Sequence, residues 1–184
     1  MTYEMHVAGL TRNLPLCPLN ENLQIGAFVI FGDVELTVAC ARELLKKAPE
    51  FDYMVAPEAK AIPLIHEMAR QGGRNDYFLV RKAAKLYMQG VFEVEDKSIT
   101  TAGTQKLYMD GKDAAKMKGK RILILDDVIS TGGSLAAVES LVEQAGGNVV
   151  GRMAILAEGD AAKRDDIIYL EKLPLFDAKG KPID

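Results

Sequence analysis

The chain contains 184 residues, of which 48% are apolar and 27% are charged, with 16 glycines, 7 prolines and no tryptophan. This composition is ordinary for a globular protein and excludes collagen-like, low-complexity and disulfide-scaffold architectures. A chain of this length buries about two-thirds of its unfolded surface, so we expect one domain over residues 1–184. Its 23 basic and 26 acidic residues leave a net charge of −3, so neither a nucleic acid nor a membrane surface is expected as a partner.

The amino terminus and the cysteines indicate a cytoplasmic protein without a structural metal. Residues 1–6 lack the basic and apolar regions of a leader, and no apolar run approaches the roughly 18 residues of a membrane span. Cys17 and Cys40 form no CxxC or Cys/His cluster, which predicts free thiols in a reducing compartment. His66 precedes Glu67, but the HExxH pattern is absent, so we expect no metal there.

The first elements in chain order are an irregular lobe and a strand followed by a helix. Residues 10–26 contain prolines and asparagines between short apolar stretches, which predicts irregular structure. Residues 27–31 predict a short strand. Asp33 is placed to cap the helix that follows, and Pro49 is placed to end it.

The middle of the chain predicts a second strand–helix unit and then an excursion. Residues 53–56 predict a strand, which a loop connects to a helix with Pro63 in its first turn. Residues 77–80 predict a third strand. Between residues 83 and 120 the pattern changes, because residues 91–95 alternate with period two and residues 106–109 are placed to pair with them. The excursion is therefore predicted to contain a hairpin.

The last unit is the clearest one. Residues 121–125 predict a buried strand, residues 126–134 a loop, and the following segment a helix that ends near Gly146. Residues 149–157 predict another strand. Strands that alternate with helices predict an α/β fold of three layers, with a mainly parallel central sheet and helices on both faces.

Three loops are predicted to carry the chemistry, since ligands of open α/β sheets bind beyond the carboxyl ends of the strands. These loops are residues 57–61, 81–85 and 126–134. In the last loop, hydroxyl residues and glycines precede a helix, where backbone N–H groups and the helix dipole can hold a phosphate. The residues of this candidate cradle are Ser130, Thr131, Gly132, Gly133 and Ser134.

The same loop begins with two adjacent carboxylates, Asp126 and Asp127. These groups would repel each other unless a cation or a hydroxyl-rich ligand lay between them, and ribose hydroxyls with an associated Mg²⁺ meet that need. The loop contains neither the Walker A pattern nor GxGxxG, which disfavours ordinary nucleoside triphosphate and dinucleotide sites.

The string RILILDDVISTGGS, at residues 121–134, resembles the phosphoribosyl pyrophosphate (PRPP) signature of type I phosphoribosyltransferases. The resemblance implies that Asp126 and Asp127 hold the ribose hydroxyls, and that residues 130–134 bind the 5′-phosphate. It implies the fold of that family, in which residues 1–26 form an irregular hood on the base side and residues 83–120 form a flexible lid. It also implies Mg²⁺ as cofactor, held mainly by PRPP rather than by direct protein ligands.

Two more stretches resemble the purine branch of the family, the adenine and xanthine phosphoribosyltransferases. Residues 56–63 resemble its pyrophosphate loop, with Ala61 where the family usually has glycine. Residues 80–86 resemble its Arg-Lys-x-x-Lys-Leu segment, in which a lysine reaches the pyrophosphate. Cations there would stabilise the charge that grows on the leaving group. The implied pyrophosphate residues are Glu58, Ala59, Lys60, Arg81, Lys82 as the first choice of lysine, and Lys85 as the second.

The purine base is left open by the sequence. The resemblance implies that Leu14, Phe28 and Val128 line the base pocket. Residues 98–103 are closer to the lid of xanthine-type enzymes than to the Glu-Tyr pair common in adenine-specific relatives. Adenine is the first prediction, and xanthine or hypoxanthine/guanine come next.

The implied reaction transfers the 5-phosphoribosyl group from PRPP to a purine nitrogen, with inversion at the anomeric carbon and release of pyrophosphate. Lys82 and Asp127 are the candidate catalytic residues, and Asp127 would handle the proton of the base. The family resemblance also implies a homodimer. Two alternatives stay open, a PRPP-binding regulator without catalysis and a phosphoribosyltransferase for a pyrimidine base. The first usually carries a DNA-binding module, for which the sequence shows no pattern, and the loop at residues 57–60 disfavours the second.

Overall fold

A computed structural model describes residues 1–96 and 105–183 of the chain. The strands in chain order are β1 (Thr2–Val7), β2 (Leu10–Pro18), β3 (Leu23–Gly26), β4 (Tyr53–Pro57), β5 (Phe78–Val80), β6 (Phe92–Asp96), β7 (Gln105–Met109), β8 (Arg121–Ile129), β9 (Asn148–Glu158), β10 (Ile168–Leu173) and β11 (Phe176–Asp177). The α-helices are α1 (Val34–Lys47), α2 (Ile62–Gln71), α3 (Gly111–Met117) and α4 (Gly133–Gln144). A 3₁₀ turn spans Gly159–Lys163.

A five-stranded parallel sheet in the order β10-β9-β8-β4-β5 lies at the centre of the molecule. Side chains of β8 alternate between its two faces, as the pleat of a strand requires. Leu123 and Leu125 pack in a core with α1 and α2. Ile122 and Ile124 pack in a second core with α3 and α4. Helices therefore cover both faces, which confirms the predicted three-layer α/β fold.

Helix α1 begins as the sequence predicts. The carboxylate of Asp33 accepts a hydrogen bond from the backbone N–H of Leu36 at 3.0 Å, which caps the first turn. Arg12 on β2 donates to both oxygens of the same carboxylate, at 2.6 and 3.0 Å. The helix ends at Lys47, two residues before Pro49. The cap of α1 thus also fastens the N-terminal strands to the core.

The N-terminal segment corrects two predictions. Residues 10–26 are not irregular, because β1, β2, β3 and β11 form an antiparallel sheet. Pro15 ends the ladder of β2 with β1 and Pro18 ends its ladder with β3, so neither proline interrupts a ladder. Residues 27–31 are not a strand. Phe28 and Ile30 are buried there, so the period-two pattern is present, but this segment is not part of a sheet.

The predicted hairpin is confirmed, since β6 pairs with β7 in antiparallel fashion. The sequence did not predict α3, a short helix that the carboxylate of Asp110 caps. Leu107, Met109 and Met117 are almost completely buried in the second core. The C-terminal part of the segment predicted as a lid, residues 83–120, therefore contributes side chains to the core. The lid residues 98–103 lie outside the described residues.

Strand β8 continues four residues beyond its predicted end, and residues 126–129 are strand rather than loop. No helix within residues 1–96 and 105–183 has the length and apolar character that crossing a membrane would require. Both cysteines are free thiols; Cys17 is exposed and Cys40 is buried.

Candidate active site

A cavity of about 540 Å³ opens at the carboxyl ends of β4, β8 and β9. It is lined by residues from all three loops that the sequence analysis expected to meet there. The predicted residues in its lining are Phe28, Glu58, Ala59, Lys60, Lys82, Asp126, Asp127, Val128, Ser130 and Ser134. The rule that ligands bind beyond the carboxyl ends of parallel strands therefore locates the cavity correctly.

The two adjacent acids are held by the extended part of β8. Asp126 pairs with Ala154 on β9, and the N–H of Asp127 donates to Oδ1 of Asp126 at 2.8 Å. Burial and the charge of Asp127 raise the pKa of Asp126 well above its usual range, whereas the ammonium of Lys60 opposes this shift. A ligand that brings hydroxyl donors or positive charge would relieve this repulsion.

Asp127 is 4% exposed, yet it lines the cavity. Nζ of Lys60 lies 3.2 Å from its Oδ2, outside hydrogen-bonding geometry. Within the part of the chain that the structure describes, Oδ2 therefore has an ion-pair partner but no hydrogen bond. A buried acceptor without a hydrogen bond costs free energy. A ligand hydroxyl that donates to Oδ2 would remove this cost, so Asp127 is suited to bind a hydroxyl group.

A second, smaller cavity of about 70 Å³ lies directly beside the first. Residues 128–135 and Asp126 form its wall, which places Thr131, Gly132 and Gly133 here rather than in the larger cavity. Gly132 has a φ of +82° and stands at the start of α4, where no side chain caps the helix. A helix N-terminus wrapped by a glycine-bearing loop favours a bound anion. The geometry fits one phosphate group.

The carboxylate of Glu58 connects the loop after β4 to the loop after β5. It accepts hydrogen bonds from Nε of Arg81 and from the backbone N–H of Lys82, both at 2.6 Å. Burial alone would raise the pKa of Glu58, but these hydrogen bonds outweigh it and the pKa is lowered. The peptide bond between Glu58 and Ala59 is cis. The hydrogen bond from its backbone N–H to Glu58 holds Lys82 at the cavity.

Residues 38–183 match the family model of the phosphoribosyl transferase domain. The chain belongs to the phosphoribosyl transferase family. This result confirms the resemblance drawn from residues 121–134, and the fold comparison below agrees with it.

Relatives in the family cover different shares of the chain. The chain is 31% identical to an adenine phosphoribosyltransferase of Bifidobacterium longum. This alignment spans 181 residues and covers 96% of this chain and 85% of the relative. It is 40% identical over 109 residues to an adenine phosphoribosyltransferase of Thermotoga petrophila, which covers 59% of this chain and 60% of the relative. The match thus spans about 60% of the length of the Thermotoga relative. The crystal structure of adenine phosphoribosyltransferase from Thermoanaerobacter pseudethanolicus superposes with a TM-score of 0.72 at 24% identity, covering 86% of this chain and 95% of that one.

Ala61 departs from the glycine that this family usually has in its pyrophosphate loop. Its φ is −75° and its ψ is −10°, in the right-handed helical region, and it caps the start of α2. The residue is 1% exposed, so its methyl group contributes to the core. Alanine adopts this conformation without strain, and the departure therefore leaves the loop intact.

Three residues that the family resemblance implied lie outside both cavities. Leu14 is 5% exposed and belongs to the first core, so it does not reach the predicted base pocket. Lys85 is partly buried, and its backbone N–H donates to the sulfur of Met88. Arg81 also stays outside the cavity lining, because Glu58 and the hydroxyl of Tyr87 accept its hydrogen bonds. Of the three basic residues in the segment, Lys82 is the one that lines the cavity.

The residues of the cavity wall that the sequence analysis missed include Glu158 and Leu173. They end β9 and β10, so the rule that located the other loops applies to both of them. The signal was present for Glu158, a carboxylate directly after a predicted strand. Leu173 carried no chemical signal, since an apolar residue at a strand end is ordinary core composition.

Proposed function

We propose that this protein transfers the 5-phosphoribosyl group of PRPP to adenine and releases AMP and pyrophosphate. The observation that carries this proposal is the meeting of three groups at one cavity, namely the acid pair of β8, the loop at residues 130–134 and the lysines of two neighbouring loops. PRPP has a ribose diol, a 5′-phosphate and a pyrophosphate. Each group of the substrate has a chemically matched partner in the site.

In the proposed complex, the 5′-phosphate occupies the smaller cavity at the N-terminus of α4. The ribose hydroxyls donate to Asp126 and Asp127, which supplies the hydrogen bond that Oδ2 of Asp127 otherwise lacks. The pyrophosphate then lies toward Lys60 and Lys82. Holding both ends of PRPP fixes the anomeric carbon between the leaving group and the base.

The catalytic contribution of the protein is mainly electrostatic. As the glycosidic bond breaks, positive charge develops on the ribose and negative charge on the pyrophosphate, so the ammonium groups of Lys60 and Lys82 stabilise the transition state more than the ground state. Attack by the base from the opposite face inverts the anomeric carbon. Asp127 is the proposed acceptor of the proton that the base loses, because its carboxylate is buried at the cavity.

Mg²⁺ is the proposed cofactor, and the donor set fits a metal that arrives with PRPP. The described residues contain no group of three His, Cys, Asp or Glu side chains that would form a metal site alone. Mg²⁺ that is held mainly by the substrate's phosphate oxygens and by water does not need such a group of protein ligands. When bound, the ion neutralises part of the charge on the pyrophosphate.

Adenine is the proposed base because several relatives of similar length are adenine phosphoribosyltransferases. Phe28 and Val128 supply apolar surface to the cavity, together with the N-terminal segment at residues 25–29. That segment supports the proposal of a hood on the base side. The lid that we propose excludes residues 107–117, because Leu107, Met109, Ala114 and Met117 of this segment are buried in the core. A cytoplasmic homodimer completes the proposal.

The test is pyrophosphate release by the purified protein with PRPP and Mg²⁺, in parallel reactions with adenine, hypoxanthine, guanine, xanthine, uracil and orotate. Turnover with adenine alone is the expected result, and it should stop when the metal is chelated. Turnover with another base would reassign the substrate. PRPP binding by calorimetry without turnover would support a regulator, and the absence of both would overturn the proposal.

A further inference from the structure

Arg164 lies against the loop that forms the smaller cavity, although no sequence pattern singled it out. A Cβ built on Gly132 would lie 2.6 Å from Nη1 of Arg164, so the guanidinium contacts the glycine backbone. Gly132 is part of the wall of the smaller cavity, whereas Arg164 is not. The guanidinium therefore packs on the outer side of this loop.

Arg164 is fixed in place by its own neighbours. The carboxylate of Asp166 accepts hydrogen bonds from Nε and Nη2, at 2.8 and 2.7 Å, which leaves Nη1 toward Gly132. The backbone N–H of Arg164 donates to the carbonyl of Ala161, a residue that is buried in the second core. The side chain thus has a defined position and is not a freely moving surface arginine.

We propose that Arg164 is a positioning residue of the 5′-phosphate subsite, which holds the left-handed turn at Gly132. This inference rests on the proposed function, because it assigns the smaller cavity to the 5′-phosphate. The guanidinium acts through the loop and does not touch the ligand. Asp166 sets its orientation.

The close approach explains why this position requires glycine for two separate reasons. The φ of +82° at Gly132 is unfavourable for any residue with a Cβ. In addition, a Cβ would collide with Nη1 and displace the guanidinium. Arg164 is itself paired with the carboxylate of Asp166, so its support of the loop comes from the contact between Nη1 and the turn at Gly132.

The experiment compares Arg164→Met with Lys163→Met by calorimetric binding of two ligands, AMP and inorganic pyrophosphate with Mg²⁺. AMP contains the 5′-phosphate, whereas pyrophosphate binds at the other end of the proposed site. Lys163 is the neighbouring cation, it is paired with Asp160, and its replacement makes the same change in net charge. Arg164→Lys is the second variant, because lysine keeps the positive charge but lacks the planar guanidinium with its several N–H donors.

We expect Arg164→Met to weaken AMP binding by about tenfold, because the turn that presents the backbone N–H groups to the phosphate loses its support, while pyrophosphate binding stays within about twofold. Lys163→Met should leave both affinities unchanged, and Arg164→Lys should fall between Arg164→Met and the wild type. Unchanged AMP affinity in Arg164→Met, or an equal loss for both ligands, would overturn the positioning role. Should Arg164→Met fail to fold, AMP affinity at the wild-type level in Arg164→Lys would overturn it. Wild-type protein that binds neither AMP nor PRPP would instead remove the proposed function, and this inference with it.

Discussion

Nζ of Lys60, on the loop after β4, lies 3.2 Å from Oδ2 of the buried Asp127 on β8. This ion pair connects the two sides of the cavity that PRPP would bridge. In the proposed complex this ion pair is replaced by contacts with the substrate. The ammonium of Lys60 binds the pyrophosphate, and the carboxylate of Asp127 accepts a hydrogen bond from a ribose hydroxyl. Both residues are therefore expected to affect PRPP more than the base.

Asp127→Asn should raise the KM for PRPP by about tenfold, because an amide accepts the ribose hydroxyl less strongly than a carboxylate does. The KM for adenine should stay within about twofold. Steady-state kinetics with each substrate varied in turn would measure both constants. Asp113→Asn is the matched control, since Asp113 is a half-buried aspartate that lies on α3 away from the cavity. An unchanged kcat/KM for PRPP in Asp127→Asn would remove this residue from the site.

Lys82→Ala should lower kcat by about a hundredfold while adenine binding changes little, because the lost ammonium acts on charge that develops in the transition state. Lys85→Ala is the control from the same segment, since its side chain does not line the cavity. Its kcat should stay near the wild-type value. The opposite ranking of the two variants would assign the pyrophosphate to Lys85.

Glu58→Gln should reduce the free energy of unfolding at neutral pH by about 2 kcal/mol, because the carboxylate accepts two short hydrogen bonds that an amide would weaken. The pKa of Glu58 is lowered from its ordinary value of 4.5 in the folded protein. Its stabilisation is therefore fully present above that value and is lost as the pH falls through the lower folded pKa. Urea unfolding of both proteins over this acid range should show the two stabilities converging. A difference that stays constant with pH would contradict the assignment.

Ala61→Gly restores the residue that the family usually has, yet we expect it to lower stability and leave kcat/KM unchanged. Ala61 is helical and buried, so glycine would remove a packed methyl group and add backbone freedom to the unfolded chain, at a cost of about 1 kcal/mol. Chemical unfolding and steady-state kinetics on the same preparation would test both parts. A clear gain in activity would mean that the loop needs a conformation that alanine resists.

The central sheet and the position of the site could be predicted because their signals are local. Apolar strands, the cap at Asp33 and the acid pair with its phosphate loop are each readable within about ten residues. The N-terminal sheet could not be predicted, because β2 divides its pairing between two partners and β3 pairs with β11 from the other end of the chain. Long-range pairing of this kind leaves no mark in the local pattern.

Within the site, motifs predicted residue types better than residue contacts. The segment at residues 80–86 suggested three cations for the pyrophosphate, but Glu58 binds Arg81 and directs only Lys82 toward the cavity. Leu14 was assigned to the base pocket and lies in the core. Arg164 was missed because its contact with Gly132 depends on the turn that follows β9, and a single arginine carries no pattern.

The continuation of β8 beyond its predicted end determines where the proposed binding of PRPP would restrict motion. Asp126 and Val128 remain in register with β9, so the acid pair belongs to a sheet ladder rather than to a mobile loop. The loss of conformational entropy on binding then falls on residues 58–61 and 81–85, which join no such ladder apart from one bridge at Arg81. The sheet therefore holds the acid pair in place, whereas the two loops that would contact the leaving group have fewer backbone constraints.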